Sequence, residues 1–111
     1  MTGPATITVL SVSWRSAAFL RDLCANLLSQ AGQPGAIRFL IADNTNGDDP
    51  ALAALDVPGL EIVPVDVSHE RMSVAHAIGL NALFARVDTP YTLVVDPDVF
   101  VFQPGWDTIL T

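Results

Sequence analysis

Lysine is absent from this 111-residue chain. That one absence removes the phosphate loop whose lysine reaches a nucleotide, any Schiff-base lysine and any lysine nucleophile. Cations are scarce altogether, with five arginines against twelve acidic groups and a formal net charge of −7. Such a surface argues against nucleic acid as a partner, because binding it requires basic groups that displace counterions. Cys24 is the only cysteine, so neither an intrachain disulfide nor a cysteine pair for zinc can form. No apolar run approaches the length of a membrane span. The N-terminus lacks the basic start and long apolar stretch of a signal peptide, so a cytoplasmic location is the expectation. Glycine is missing from Ser13-Trp14-Arg15-Ser16, the turn after the first apolar segment. Its absence excludes the dinucleotide-binding fingerprint, and no nucleophile elbow occurs elsewhere.

What remains is half apolar and only 15% charged, the composition of a globular chain and not of a disordered one. At this length residues 1–111 make one domain. The segment from Ala5 to Ser13 is rich in β-branched residues and reads as a strand. Ser16 is placed to cap a helix from Ala17 to about Ala31, in which Leu20, Leu23, Cys24, Leu27 and Leu28 recur at helical spacing. Cys24 therefore reads as a small buried hydrophobe. A second strand spans Ala36 to Ala42 and ends in Asp43, followed by the polar loop Asn44 to Pro50. A short helix from Pro50 to Leu55 and the turn Pro58-Gly59 lead to a third strand, Leu60 to Val65.

The stretch His69 to Val87 reads as helix, with Ala77, Leu80, Phe84 and Val87 as its apolar stripe. His69 itself reads as a solvated loop residue. Thr89-Pro90 opens a buried strand that runs into Asp96-Pro97-Asp98, and Val99 to Phe102 is expected to continue as a short edge strand. Trp106 reads as a core anchor under a last helix. Asp49, Asp56, Asp66 and Asp88 read as turn and cap residues. Apolar strands alternating with amphipathic helices predict an α/β fold with a three-layer α/β/α, mainly parallel sheet.

Such sheets bind ligands outside the carboxyl ends of their strands. Three strands here end in Ser13-Trp14-Arg15, in Asp43-Asn44 and in Asp96-Pro97-Asp98. In an extended chain the period of two brings the side chains of Asp96 and Asp98 to one side. Two hard carboxylate ligands there suit Mn²⁺ or Mg²⁺ gripping a phosphate. The plainer reading is a strand leaving through a turn, where Asp and Pro are common. A phosphotransferase of the haloacid-dehalogenase type also carries Asp-x-Asp, but on its first strand, whereas three strand–helix units precede it here.

The order of motifs resembles the N-terminal, nucleotide-sugar-binding part of a family 2-like glycosyltransferase with the GT-A fold. Leu40-Ile41-Ala42-Asp43-Asn44-Thr45-Asn46-Gly47-Asp48 is similar to that family's Val-Val-Asp-Asn-Gly-Ser-x-Asp segment. Ala75-His76-Ala77-Ile78-Gly79-Leu80 resembles its Ala-x-Asn-x-Gly-Ile helix, with Ala77 where the Asn is expected. Leu93 to Asp98 resembles its Leu-x-Leu-Asp-x-Asp, and Pro104-Gly105 the Pro-Gly that follows. The resemblance covers nearly the whole chain. It implies sugar transfer from a nucleoside-diphosphate sugar to an acceptor hydroxyl, by inversion, with Mn²⁺ or Mg²⁺. The acceptor, whether glycan, lipid-linked or small molecule, is left open.

Carried over by residue, the resemblance implies that Asp43 hydrogen-bonds the nucleobase with Trp14 flanking it. Asp48 supports that loop or the ribose, Asp96 faces ribose and metal, and Asp98 is the main metal ligand. His76 either packs beside the helix stripe or touches the donor. Arg15 stands where many members carry Asn, and a guanidinium there is able to meet a phosphate. The general base is expected beyond Thr111, so the chain reads as a fragment holding the donor and metal grip. The alternative is a non-catalytic α/β module that binds a nucleotide or a protein partner.

Overall fold

A strand buried over its whole length fixes the frame. β1 (Ile7–Ser13) has no exposed residue, and it pairs in parallel on both sides. A computed structural model of the chain describes residues 4–68 and 70–111; His69 lies outside the described residues. After β1 come α1 (Ala17–Gln30), a single 3₁₀ turn at Pro34–Ala36, β2 (Ile37–Asp43) and α2 (Pro50–Ala53). They are followed by β3 (Leu60–Pro64), α3 (Met72–Phe84), β4 (Tyr91–Val94) and α4 (Trp106–Leu110). The four strands form one all-parallel sheet in the order β3-β2-β1-β4. The expected α/β architecture is present in that coarse sense.

Alternation along β1 sorts the core into two layers. Ile7 and Val9 meet Leu20, Leu23 and Leu27 of α1 on one face of the sheet. Leu10 and Val12 meet Leu83 of α3 on the other. A parallel strand covered on both faces needs a continuous apolar run, which is why Ile7 to Val12 shows little polar alternation. Its two hydroxyls inside the core both have partners: Thr8 Oγ1 meets Thr89 Oγ1 at 2.6 Å, and Ser11 Oγ donates to the Val95 carbonyl at 2.7 Å.

Several boundaries and contacts differ from what the sequence suggests. Ser16 occupies the N-cap position of α1 without capping it; its hydroxyl donates to the Trp14 carbonyl, and Ser13 Oγ accepts from the Ser16 N–H instead. α3 begins at Met72 and buries Ala75, Gly79 and Leu83; of the expected stripe, Leu80 and Val87 pack partly buried against the core while Ala77 and Phe84 are exposed. The helix is apolar on nearly every side, and its small residues decide which face comes closest to the sheet. β4 is an edge strand, with Tyr91 and Val94 exposed, and not a buried one. No strand forms over residues 99–102. Asn26 takes that backbone instead, accepting from the Val101 N–H at 2.7 Å and donating to its carbonyl at 3.0 Å.

The two sheet edges are unlike. On β3, Glu61 binds Arg86 at 2.6 Å. Because the Val65 N–H turns inward to Asp43, its neighbour Pro64 falls on the outer side, where it has no N–H to offer. On β4, Tyr91 to Val94 carries neither charge nor proline. Before β3, Gly59 turns the chain at φ 75°, where a Cβ would sit 2.8 Å from the Ile37 carbonyl.

The end of the chain is tied to α1. The Trp106 indole is buried and donates Nε1–H to the Leu27 carbonyl at 2.9 Å, as a core anchor should. Asp107, which the sequence did not single out, is 4% exposed and accepts from the Gly32 and Gln33 N–H groups at 2.7 and 2.9 Å. Burial pushes its carboxyl up, but the backbone donors, Gly32 foremost, outweigh that and hold it below the ordinary value. Burial also drives the Cys24 thiol up to about 11.

Two outcomes follow for solution experiments. Replacing Asp107→Asn sets a side-chain N–H₂ against a backbone donor and is expected to cost about 2 kcal/mol in urea unfolding at neutral pH. A depressed carboxylate contributes its stability above its unfolded value of about 3.9 and loses it as pH falls through the folded one. The gap between variant and parent therefore narrows under acid. The Cys24 thiol should resist a disulfide reagent at pH 8 until denaturant opens the core, since little thiolate exists there.

Candidate functional site

The chain reverses its direction of travel across the sheet at β1. It moves outward through β2 and β3, then α3 carries it back to β4 on the other side of β1. Loops leaving the strands on either side of such a switch point part, and a crevice opens at the carboxyl ends. Here the crevice is a cavity of about 740 Å³. The loop after β1, the loop after β2, the segment after β3, the start of α3 and Pro97 all border it.

Trp14 and Arg15 form one wall. Trp14 is 58% exposed although it is among the largest apolar side chains in the chain, and the Arg15 guanidinium lies 5.6 Å from its ring centre. Arg15 also reaches across to the second loop, donating Nη1–H to the Asp48 carbonyl at 3.1 Å and Nη2–H to its carboxylate at 3.3 Å. Arg15 and Asn46, at φ 54° and 56°, both have left-handed backbone, which costs an ordinary side chain more than it costs Asn.

Asp43 does not border this cavity. It is 3% exposed, and its carboxylate is turned into its own loop. Oδ1 accepts from the Thr45 N–H and hydroxyl at 2.9 and 2.6 Å, and Oδ2 accepts from the Gly47 N–H at 3.2 Å. In this structure the loop donors occupy the carboxylate, and little of its surface is reachable. Asp43 instead shapes the loop that carries Asp48, and it borders a separate depression of about 420 Å³ beside β3. Asp66 likewise works as a turn residue, accepting from the Ser68 N–H at 3.0 Å, while Asp49 caps α2 through the Leu52 N–H at 3.2 Å.

Across the cavity lie His76 and the Asp96-Pro97-Asp98 turn. β4 ends at Val94, and the Val99 N–H returns to the Asp96 carbonyl at 3.2 Å. The two carboxylates thus flank a turn, and the strand alternation invoked to bring them together does not extend to them. Both are exposed, and Pro97 between them borders the cavity. His76 Nε2 stands 4.0 Å from Asp96 Oδ1, so His76 faces the cavity instead of packing under the helix. Among the described residues no group of three or more His, Cys, Asp or Glu side chains is arranged to hold a metal ion.

Sequence reasoning passed over Asn44. It is buried at the end of β2, and its Nδ2 donates to the Ala75 carbonyl at 3.1 Å, which fixes α3 one residue before His76. The approach is close enough to need Gly79: a Cβ there would lie 2.8 Å from Asn44 Oδ1 and 3.2 Å from Val12 Cγ1. Ala75 and Gly79, small residues four apart on one helix face, were the signal of that contact.

Compared with protein-family models, with curated proteins and with solved structures, the chain finds no match in any of the three.

Gly79→Ala tests how tightly α3 is set. Overpacking of this kind costs about 1–3 kcal/mol, so a lowered urea midpoint is expected. His76 would shift with the helix. Stability equal to that of the parent would mean that the helix has slack at this contact.

Proposed function

We propose that this chain is the nucleotide-sugar-binding part of a metal-dependent glycosyltransferase, holding a nucleoside-diphosphate sugar in the cavity at the strand ends. The observation that carries the reading is one crevice at the switch point bordered by the exposed Trp14, by Asp48 and His76, and by Pro97, whose neighbours Asp96 and Asp98 are exposed beside it. The volume lies within the roughly 300–1,000 Å³ typical of small-molecule sites. The motif order described above is the remaining support for sugar transfer as opposed to simple nucleotide binding.

On this reading the Trp14 ring offers its face to the planar base. Asp48 and Asp96 are acceptors suited to ribose hydroxyls, which donate to carboxylates. His76, beside Asp96, is a second polar contact for the donor. Asp96 and Asp98 are the residues that would hold Mn²⁺ or Mg²⁺. Two carboxylates fit such an ion, which commonly takes one or two protein carboxylates and completes its shell with substrate phosphates and water. Bound there, the ion would supply charge neutralisation for the diphosphate and stabilise it as a leaving group.

The test is titration calorimetry of the folded chain with uridine and guanosine diphosphates, with and without Mn²⁺. At least one is expected to bind about tenfold or more tightly with the metal, and Asp98→Ala is expected to abolish the difference while leaving the fold intact. Binding that ignores Mn²⁺, or no binding to a folded chain, overturns the proposal.

A further inference from the structure

Arg15 is the one arginine bordering the large cavity among the described residues, against three acidic residues on the same border. Asp48, Asp66 and Glu70 border the same space. A guanidinium in that position has an evident structural use, since it closes the loop after β1 onto the loop after β2 through Asp48. Yet the closure is thinly made. The side chains of Arg15 and Asp48 are 52% and 86% exposed, and their closest charged atoms are 3.3 Å apart. Exposed ion pairs of this kind contribute little, because water screens them and two side chains must be immobilised.

The other contact of the guanidinium is the Trp14 ring. A cation held over an aromatic face is attracted without using its N–H groups, which stay free to turn. One set of those groups is occupied by a weak partner that a better acceptor can displace. A diphosphate is such an acceptor: it carries several anionic oxygens, and a guanidinium meets them two at a time.

We propose that Arg15 is the anion-recognition residue of this cavity, parked on Asp48 when the cavity is empty and transferred to the ligand's diphosphate when it fills. The guanidinium beside Trp14 swings between the two acceptors without leaving the ring. Asp48 is then a competitor for the cation, and it lowers affinity for any anion until displaced. This rests on the reading of the cavity as a diphosphate site and adds which residue selects the anion. It also separates this chain from a site in which the metal alone meets the phosphates.

The experiment is titration calorimetry with inorganic pyrophosphate and Mg²⁺ at low ionic strength, where exposed charges are least screened. Four proteins are compared: the parent, Arg15→Gln, Arg15→Lys and Asp48→Asn. The expected results have opposite signs. Arg15→Gln weakens pyrophosphate at least tenfold, whereas Asp48→Asn strengthens it several-fold by removing the competing carboxylate charge, leaving the guanidinium held only through the residue 48 carbonyl. Arg15→Lys falls between the parent and Arg15→Gln, since an ammonium keeps the charge and loses the fork.

If the pair only braces the two loops, both partners matter equally, and Asp48→Asn weakens binding as Arg15→Gln does. That outcome overturns the proposal. So does an Arg15→Gln protein that binds like the parent, or a folded parent that binds no pyrophosphate. The two readings fail separately. Arg15-dependent pyrophosphate binding with no gain from an attached nucleoside removes the nucleotide reading and leaves this one. Metal-dependent nucleoside diphosphate binding that is indifferent to Arg15→Gln does the reverse.

Discussion

Everything in this molecule is hung on the double pairing of β1. A strand hydrogen-bonded on both edges and packed on both faces has no freedom of register, and its register sets that of its neighbours: Ile7 opposite Ile37 and Tyr91, Leu10 opposite Leu40 and Val94. β2 runs on with β1 to Ser13 and Asp43, while β4 stops three residues short, at Val94. The mismatch leaves the turn 96–98 beyond the end of β4, while β1 and β2 run on into the polar loops beside it. The cavity follows from where hydrogen-bonded pairing stops, as much as from any residue that borders it.

Most of the frame could be read from the sequence, because it is written in long apolar runs and turn residues. The order of strands could not. A parallel sheet built from β–α units gives the same alternating pattern whether the fourth strand adds beside β3 or returns beside β1, and only packing decides. The phase of α3 was obscure for a related reason. Val74, Ala75, Ala77, Ile78, Leu80, Ala82 and Leu83 leave hardly a polar side, so several stripes were available. What chose among them was the absence of a side chain at Gly79, which admits Asn44.

The site divides in the same way. Trp14, Asp48, His76 and the 96–98 turn are recognisable as polar or aromatic groups at strand ends, and the fold sets the first three and Pro97 of the turn around one space. Asp43 has the same sequence signature and another occupation. A strand-end carboxylate serves whichever donors reach it first, and Thr45 and Gly47 are its own close neighbours. Asp107 was overlooked for the converse reason: in the sequence it is a first-turn acid on a short helix, and only the tertiary fold brings Gly32 and Gln33 against it.

The unequal edges of the sheet carry a consequence for how it can be enlarged. Glu61 and Pro64 obstruct the addition of a strand beside β3, whereas Tyr91 to Val94 offers open backbone beside apolar side chains. A further strand would meet an obstructed edge beside β3 and open backbone beside β4. That is also the side on which Asp96 and Asp98 emerge. A strand on that edge would therefore lie next to the turn that carries both carboxylates, whereas one beside β3 would not.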